Sequence, residues 1–173
     1  MTSEKGETGG EEIVVRRMAA EDRPAVAGLL LELNRFEDAL AGDRHVSPHA
    51  GHECLAENER YIAECGGALL VAERRRSVVG ALLLAFETSD AFIRPDLRSC
   101  TRILDLCVDE AHRGAGIGRR LLQEAERIAR EQGHTALMIG ALAANRRALA
   151  LYEAVGFRTQ AVELHKPLRP PSP

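Results

Sequence analysis

Residues 101–133, TRILDLCVDEAHRGAGIGRRLLQEAERIAREQG, contain the pattern that decides the fold. Between Ile103 and Val108 only Asp105 interrupts an apolar run, which is typical of a strand buried on both faces. The sequence then becomes glycine-rich, and apolar side chains recur at helical spacing between residues 117 and 129. Gly133 stands where a helix commonly ends in the left-handed conformation. The stretch therefore predicts a buried strand, a tight turn and an amphipathic helix.

The turn itself contains Gly114, Gly116 and Gly118, which allow tight bending and close approach of a ligand because they carry no Cβ. A helix that begins at such a turn directs free N–H groups and the positive end of its dipole forward. Arg113 and Arg119 add positive charge, and guanidinium groups bind phosphate well. The turn therefore predicts a phosphate site, with a plain strand-to-helix connection as the alternative. It fits neither the dinucleotide fingerprint nor a P-loop.

Length and composition suit one globular domain, with 173 residues of which 45% are hydrophobic. The net charge of −3 argues against a nucleic-acid partner, which usually requires a basic surface. No apolar run approaches the roughly 18 residues of a membrane span, and the N-terminus is unlike a signal peptide. We therefore expect a cytoplasmic protein with no membrane partner. Its cysteines, expected to be free thiols, are Cys54, Cys65, Cys100 and Cys107.

Apolar periodicity and turn residues divide the remaining chain into elements. We expect a single domain over residues 12–168, a disordered N-terminal tail at 1–11 and a loose C-terminal tail at 169–173. Asp22 is expected to cap the first helix. Irregular segments are predicted at 34–51 and 88–100. The predicted strands are 13–17, 68–73, 78–87, 103–108, 136–141, 157–159 and 161–166.

Two blocks of this sequence resemble the acetyl-CoA-binding core of the GCN5-related N-acetyltransferases (GNAT). The first, residues 113–118, reads RGAGIG and matches the family signature [RQ]-x-x-G-x-[GA]. The second places Asn145 seven residues before Tyr152 and ahead of the pair Gly156-Phe157. The N-terminal third matches only in the order of its elements. The resemblance implies an α/β (α+β) fold, with a mixed, mostly antiparallel sheet of about six or seven strands flanked by about four helices.

The resemblance also implies how the co-substrate acetyl-CoA is held. The turn with its two arginines would bind the pyrophosphate, and the N–H of Val108 would polarise the thioester carbonyl. Asn145 has two compatible roles, as the cap of the last helix and as a hydrogen-bond partner of the pantetheine. The cofactor-binding candidates are Leu106, Cys107, Val108, Arg113, Gly114, Ala115, Gly116, Ile117, Gly118, Arg119 and Asn145.

Two residues are candidates for proton transfer. By resemblance, Tyr152 is the general acid that protonates the departing thiolate, although a tyrosine on the apolar face of a helix can also be a core residue. Some protein-acetylating relatives carry a glutamate base where this chain has Gly140. Asp105 is the alternative base, because a carboxylate in an apolar strand should have a raised pKa. A buried aspartate satisfied by backbone N–H groups or an arginine, and loss of the proton to water, remain open.

The resemblance implies that the irregular segment 34–51 covers the acceptor site, with Phe36 and Glu37 as the main candidates and Asp38 and Asp43 beside them. A solvated acidic loop is the alternative there. The segment 88–100 offers weaker candidates in Arg94, Asp96 and Arg98. The spacing of His45, His49, His52 and Cys54 could ligate zinc, but nothing else requires a metal, and none is predicted.

Together with the resemblance, these residues predict an acetyl-CoA-dependent N-acetyltransferase that moves the acetyl group directly to a primary amine in a ternary complex. A small-molecule amine is favoured over a protein N-terminus or lysine, because the presumed acceptor loops are acidic and the glutamate is absent. A covalent intermediate on Cys107 is disfavoured, since no His or Asp pairing suggests an activated thiol. A non-catalytic module that senses acetyl-CoA is the alternative from another class. The oligomeric state stays open, with a homodimer among the alternatives.

Overall fold

The computed structural model describes residues 12–168, and these form one five-stranded sheet flanked by helices. The main elements in chain order are β1 (Val14–Arg17), α1 (Arg23–Ala41), α2 (Ala50–Cys65), β2 (Gly67–Arg74), β3 (Ser77–Thr88), β4 (Ser99–Val108), α3 (Ile117–Glu131), β5 (Ala136–Ile139) and α4 (Arg146–Ala154). The strands lie in the order β1-β2-β3-β4-β5, and every neighbouring pair is antiparallel except β4 and β5, which are parallel. The predicted fold class is confirmed, with five strands instead of six or seven. The predicted tails lie outside the described residues.

The sheet is covered on both faces, and this explains the apolar runs of its central strands. On one face α3 packs its apolar stripe, including Leu121 and Ala125, against Leu82 and Leu84 of β3. On the other face α1 and α2 pack against the alternate residues, among them Leu83. Residues 81–85 of β3 are fully buried as a result. A strand buried on both faces has no solvent side, so its sequence shows no polar alternation.

The segment 34–51, predicted to be irregular, is mostly helical. The first helix continues to Ala41 and ends at Gly42, whose φ of +70° and N–H bond to the carbonyl of Asp38 close its last turn. Gly51, which resembles loop punctuation in the sequence, instead lies inside α2. A Cβ at that position would come within 2.0 Å of the carbonyl oxygen of Ala27, so glycine allows α1 and α2 to touch. Within residues 12–168 no helix combines the length and apolar character needed to cross a bilayer.

The two closing strands predicted at 157–159 and 161–166 are wrong, because residues 157–168 form no strand in the structure. The N–H of Phe157 returns to the carbonyl of Tyr152 and closes the end of α4. The alternating apolar side chains Val162 and Leu164 are 76% and 90% exposed. Ordering this segment as a strand would therefore cost conformational entropy without burying its apolar side chains.

An ionic cluster ties the first two strands to the beginning of α1. The guanidinium of Arg16 on β1 donates to both carboxylate oxygens of Asp22, at 2.6 and 2.9 Å, and to Glu73 of β2 at 2.8 Å. Asp22 is only 6% exposed and also accepts the N–H of Ala19 at 2.7 Å. The sequence analysis predicted that Asp22 caps α1, but its side chain makes no capping hydrogen bond to that helix. Hydrogen bonds from Arg16, and secondarily from Ala19, hold the pKa of Asp22 below its ordinary value despite burial.

Replacing Asp22 with Asn should therefore lower the free energy of unfolding at pH 7 by about 1 kcal/mol, a value kept small because Arg16 is partly exposed. A depressed carboxyl pKa stabilises the fold above the unfolded value and loses that contribution as the pH falls through the folded value. The difference between wild type and Asp22→Asn should thus shrink below about pH 4. Urea unfolding at pH 7, 5 and 3 measures it. Asp96→Asn, which removes an exposed partner of Arg94, is the control and should change little. An Asp22→Asn effect equally large at pH 3 would contradict this account.

Candidate active site

A cavity of about 70 Å³ opens where the parallel strands β4 and β5 separate. Their pairing runs from Cys100–Ala136 to Ile103–Ile139, after which β5 ends while β4 continues to Val108. The backbone of β4 beyond residue 103 therefore has no strand on that side. Four elements line the cavity, and its lining residues are Leu33, Glu37, Leu104, Asp105, Leu106, Ile139, Gly140, Ala141, Asn145, Ala148 and Tyr152. The structure thus brings together five residues that the sequence had nominated, Glu37, Asp105, Leu106, Asn145 and Tyr152.

A β-bulge at Leu104 decides which way Asp105 faces. In the register with β3, Leu83 pairs with Asp105 but Leu84 pairs with Ile103, so Leu104 is the extra residue. Ile103 packs on the α3 face, whereas Leu104 packs on the α1–α2 face. Strict alternation would return Asp105 to the α3 core, but the bulge keeps it on the side of α1 and α2.

The carboxylate of Asp105 is held by a side chain that the sequence analysis had not identified. Asn58 of α2 donates from Nδ2 to Oδ2 of Asp105 at 2.7 Å. Burial raises the pKa of Asp105, the Asn58 bond opposes that shift, and the nearby Glu37 carboxylate adds to it. The partner is therefore neither a backbone N–H nor an arginine. A sequence signal existed, because Asn58 lies on the same helical face as the buried residues Leu55 and Ile62.

Tyr152 lies half-buried on α4, with its ring 5.8 Å from the ring of Phe157. Burial, with the carboxylates of Glu37 and Asp105 as smaller causes, raises the pKa of Tyr152 to about 12. The phenol is therefore protonated at neutral pH and can donate a proton. Asn145 fixes the start of this helix, since its Oδ1 accepts the N–H of Ala148 at 3.1 Å, as predicted for a cap.

The glycine turn before α3 has the geometry of an anion site. Gly114 and Gly116 have φ values of +83° and +79°, and no atom lies within 4 Å of where a Cβ would be. In the described part of the chain, the N–H groups of residues 114–119 have no protein acceptor. Free N–H groups at a helix N-terminus bind phosphate readily. Gly118 serves a different purpose, because a Cβ there would be 3.0 Å from Leu151 of α4.

Some backbone groups at the end of β4 point away from β3, toward the side where β5 has already ended. Asp109 donates its N–H to the carbonyl of Val79 on β3 at 3.0 Å. Because N–H groups alternate sides along a strand, those of Val108 and Leu106 point away from β3, toward the side that β5 has left. By the same alternation, the N–H of Cys107 points to β3. Arg113 steadies this strand end by donating from Nε to the carbonyl of Val108 at 3.0 Å, and Arg119 is exposed.

On the acceptor side, the structure separates the two main candidates. Glu37 lines the cavity and accepts Nε of Arg44 at 2.8 Å, a partner that the sequence analysis did not identify. Phe36 is 38% exposed and is not among the lining residues. Asp38 accepts the N–H of Arg44 at 3.0 Å, and Asp43 accepts its guanidinium at 3.0 Å. These bonds tie the loop 42–49 to the last turns of α1.

The other sequence candidates lie elsewhere. Arg94 pairs with Asp96, and Arg98 donates to the carbonyls of Ala91 and Ile93, so the segment 89–98 is bonded to itself. Within residues 12–168, no three His, Cys, Asp or Glu side chains are grouped to hold a metal ion. A larger cavity of about 350 Å³ is formed by residues of α3, β5 and the end of α4, and none of the nominated residues lines it.

The thiols near the cavity are poor nucleophiles. Burial is the main cause that raises the pKa of Cys107, and the Asp105 carboxylate adds to it. Burial also raises the pKa of Cys54 to about 11. Both groups therefore stay protonated at neutral pH, which disfavours a covalent acyl intermediate on either one.

Comparison with known proteins shows which family this chain matches. A model described as the acetyltransferase (GNAT) family matches residues 33–157. Human N-acetyltransferase 8B is 32% identical over 98 residues, which cover 57% of this chain and 41% of that protein. The putative phosphinothricin acetyltransferase YwnH of Bacillus subtilis (strain 168) is 39% identical over 89 residues, covering 51% and 52%. The chain spans about half the length of the curated relatives it matches, from 41% to 52%.

Solved structures share the fold. A mutant of the BH1408 protein from Bacillus halodurans superposes with a TM-score of 0.77 at 22% identity, covering 90% of this chain and 99% of that one. The aminoglycoside N-acetyltransferase AAC(6')-Iy in complex with CoA superposes with a TM-score of 0.71 at 15% identity, covering 92% and 97%. The matched residues 33–157 contain the glycine turn, the β4–β5 separation and Tyr152, and this chain belongs to the GNAT acetyltransferase family.

Proposed function

We propose that this protein is an acetyl-CoA-dependent N-acetyltransferase that acts on a small primary amine by direct transfer in a ternary complex. The observation that carries the proposal is the cavity at the β4–β5 separation, where Asp105, Glu37 and Tyr152 line one space. The glycine turn and the end of β4 supply the anion site and the backbone donors that a CoA thioester requires. All three parts belong to the segment that matches the family model.

Backbone groups bind and orient the co-substrate. The N–H groups of residues 114–118 bind the pyrophosphate, and Arg119 at the first turn of α3 adds positive charge. The backbone of Leu106 and Val108 pairs with the pantetheine arm as a neighbouring strand would. The N–H of Val108 donates to the thioester carbonyl oxygen and stabilises the negative charge that forms there. Arg113 keeps that strand end in place through its bond to the Val108 carbonyl.

Two side chains move protons during the transfer. Asp105 accepts a proton from the substrate ammonium, which leaves a neutral amine with a free lone pair. The amine nitrogen forms the new N–C bond to the acetyl carbon, and the C–S bond then breaks. Tyr152 gives its hydroxyl proton to the departing thiolate, and the second proton that the acetylated nitrogen loses restores the Tyr152 hydroxyl. The products are the N-acetylated amine and CoA with a free thiol, and the proton on Asp105 returns to solvent.

The acidic lining favours a small cationic acceptor. Glu37 and Asp105 are acidic residues that line the same cavity of about 70 Å³, and their negative charge would attract an ammonium group. Gly140 stands where some protein-acetylating relatives carry a glutamate base. One relative is named a putative phosphinothricin acetyltransferase, and that name does not refer to a protein substrate. A thiol-release assay with acetyl-CoA tests the proposal against small primary amines, peptide N-termini and lysine peptides. Turnover only with peptides, or with none of the three, would contradict it.

Replacing Gly116 with Ala should weaken CoA binding about tenfold, because alanine avoids the left-handed conformation and the turn must shift. CoA at a hundred times its wild-type Kd should add about 2.7 kcal/mol to the free energy of unfolding of the wild type. At the same CoA concentration, Gly116→Ala with a tenfold weaker affinity should gain only about 1.4 kcal/mol. Thermal-shift titration measures both values. Gly133→Ala is the matched control, since Gly133 has φ +72° with open space around it but lies at the far end of α3. Equal CoA shifts in the two variants would argue against the phosphate role of the turn.

Replacing Tyr152 with Phe should lower kcat about tenfold or more while CoA binding stays unchanged, because only the proton donor is lost. Steady-state kinetics and the same thermal-shift titration measure the two quantities. Tyr61→Phe removes an exposed hydroxyl that bonds to Glu87 and serves as the control. Undiminished turnover in Tyr152→Phe would exclude Tyr152 as the general acid.

A further inference from the structure

Asn58 makes a contact with Asp105 that joins two distant parts of the fold. It lies on α2, separated from Asp105 by 47 residues in the sequence, and its Nδ2 donates to Oδ2 at 2.7 Å. The same Nδ2 lies 3.6 Å from Sγ of Cys54, one helical turn earlier. The face of α2 that carries Asn58 is otherwise apolar, with Leu55 and Ile62 buried on either side. Asn58 and Asp105 are both half-buried, and the amide satisfies one oxygen of the carboxylate.

Because of this contact, the two oxygens of the Asp105 carboxylate have different surroundings. Oδ2 is occupied by Asn58, while Asp105 also lines the cavity that it shares with Tyr152. We propose that Asn58 is a positioning residue for Asp105, which fixes one carboxylate oxygen from α2 so that the other faces the substrate amine. The inference rests on the proposed function of Asp105 as the base.

The groups around Asp105 would otherwise favour its neutral form. Glu37 of α1 repels its charge, although Arg44 partly neutralises Glu37 through their bond at 2.8 Å. Tyr152 of α4 and the thiols of Cys54 on α2 and Cys107 on β4 are protonated at neutral pH. Burial is the largest cause that raises the pKa of Asp105, and the Asn58 hydrogen bond opposes that rise. Asn58 therefore keeps the base available at a lower pH than its surroundings alone would allow.

The test measures the protonation of Asp105 with and without the amide donor. Asn58→Leu has nearly the same volume but cannot donate a hydrogen bond. Carbon-13 NMR of Asp-labelled protein gives the pKa of Asp105, with Asp105→Asn to assign the signal. In Asn58→Leu this pKa should rise by about one pH unit, because the charged form loses its donor. Glu37→Gln should move it in the opposite direction, because a repelling charge is removed.

The pH dependence of kcat/KM should follow the same shifts. The acid limb should move to higher pH in Asn58→Leu and to lower pH in Glu37→Gln. Glu64→Gln removes an exposed carboxylate from the same helix and should leave the limb in place. A purely structural role for Asn58 would lower the melting temperature without moving the limb or the Asp105 pKa, and that result would overturn the inference.

A second variant and a titration of the wild type complete the test. If Asn58→Leu does not fold, Asn58→Ser removes the whole carboxamide and keeps a polar side chain at this half-buried position. In the wild type, the side-chain ¹⁵N signal of Asn58 should titrate with the pKa of Asp105, and an unresponsive signal would overturn the inference without any variant. Absence of acetyl transfer by the wild type would defeat the proposed function alone, since both NMR titrations need no substrate.

Discussion

The separation of β4 from β5 after the Ile103–Ile139 pair is the feature on which the site depends. Parallel strands that stayed together would satisfy each other's backbone groups and leave no space between them. The extra residue on β4, Leu104, comes directly after that last pair. A bulge bends and twists its strand, so its position is consistent with β4 turning away from β5 at this level. The cavity and the outward-facing N–H groups of Leu106 and Val108 both follow from this local change.

The cavity gathers acidic groups from three different elements. Glu37 comes from α1, Asp105 from β4 and Tyr152 from α4, and each lines the same small space. Groups that become negative on ionisation hold their protons longer when they are buried together, and this raises the pKa of both Asp105 and Tyr152. An approaching ammonium ion would relieve the repulsion. These electrostatics support the proposed acceptor, an amine that would arrive positively charged and would lose a proton before it reacts.

Much of the fold could be predicted because its signals are local. The glycine turn, the apolar stripe of α3 and the cap at Asn145 each depend on residues within a few positions of one another. The errors arose where a local pattern lacked a tertiary counterpart. Apolar and polar side chains alternate over residues 161–166 as they do in a strand, yet the side chains of Val162 and Leu164 remain exposed. The last turns of α1 carry no clear apolar stripe, yet nothing before Gly42 breaks the helix.

The same distinction between local signals and tertiary packing applies to the candidate site. The sequence by itself determined the glycine turn before α3, the buried strand with Asp105, and the spacing of Asn145 and Tyr152, because short-range steric and hydrogen-bonding preferences set these features. Only the tertiary structure decided that Asp105 faces α2, that Asn58 holds it, and that Arg44 pairs with Glu37. A bulge shows its register only against a partner strand, and a bond across 47 residues leaves no periodic trace in the chain. Side chains that meet through packing become neighbours only when the sheet and its helices have assembled.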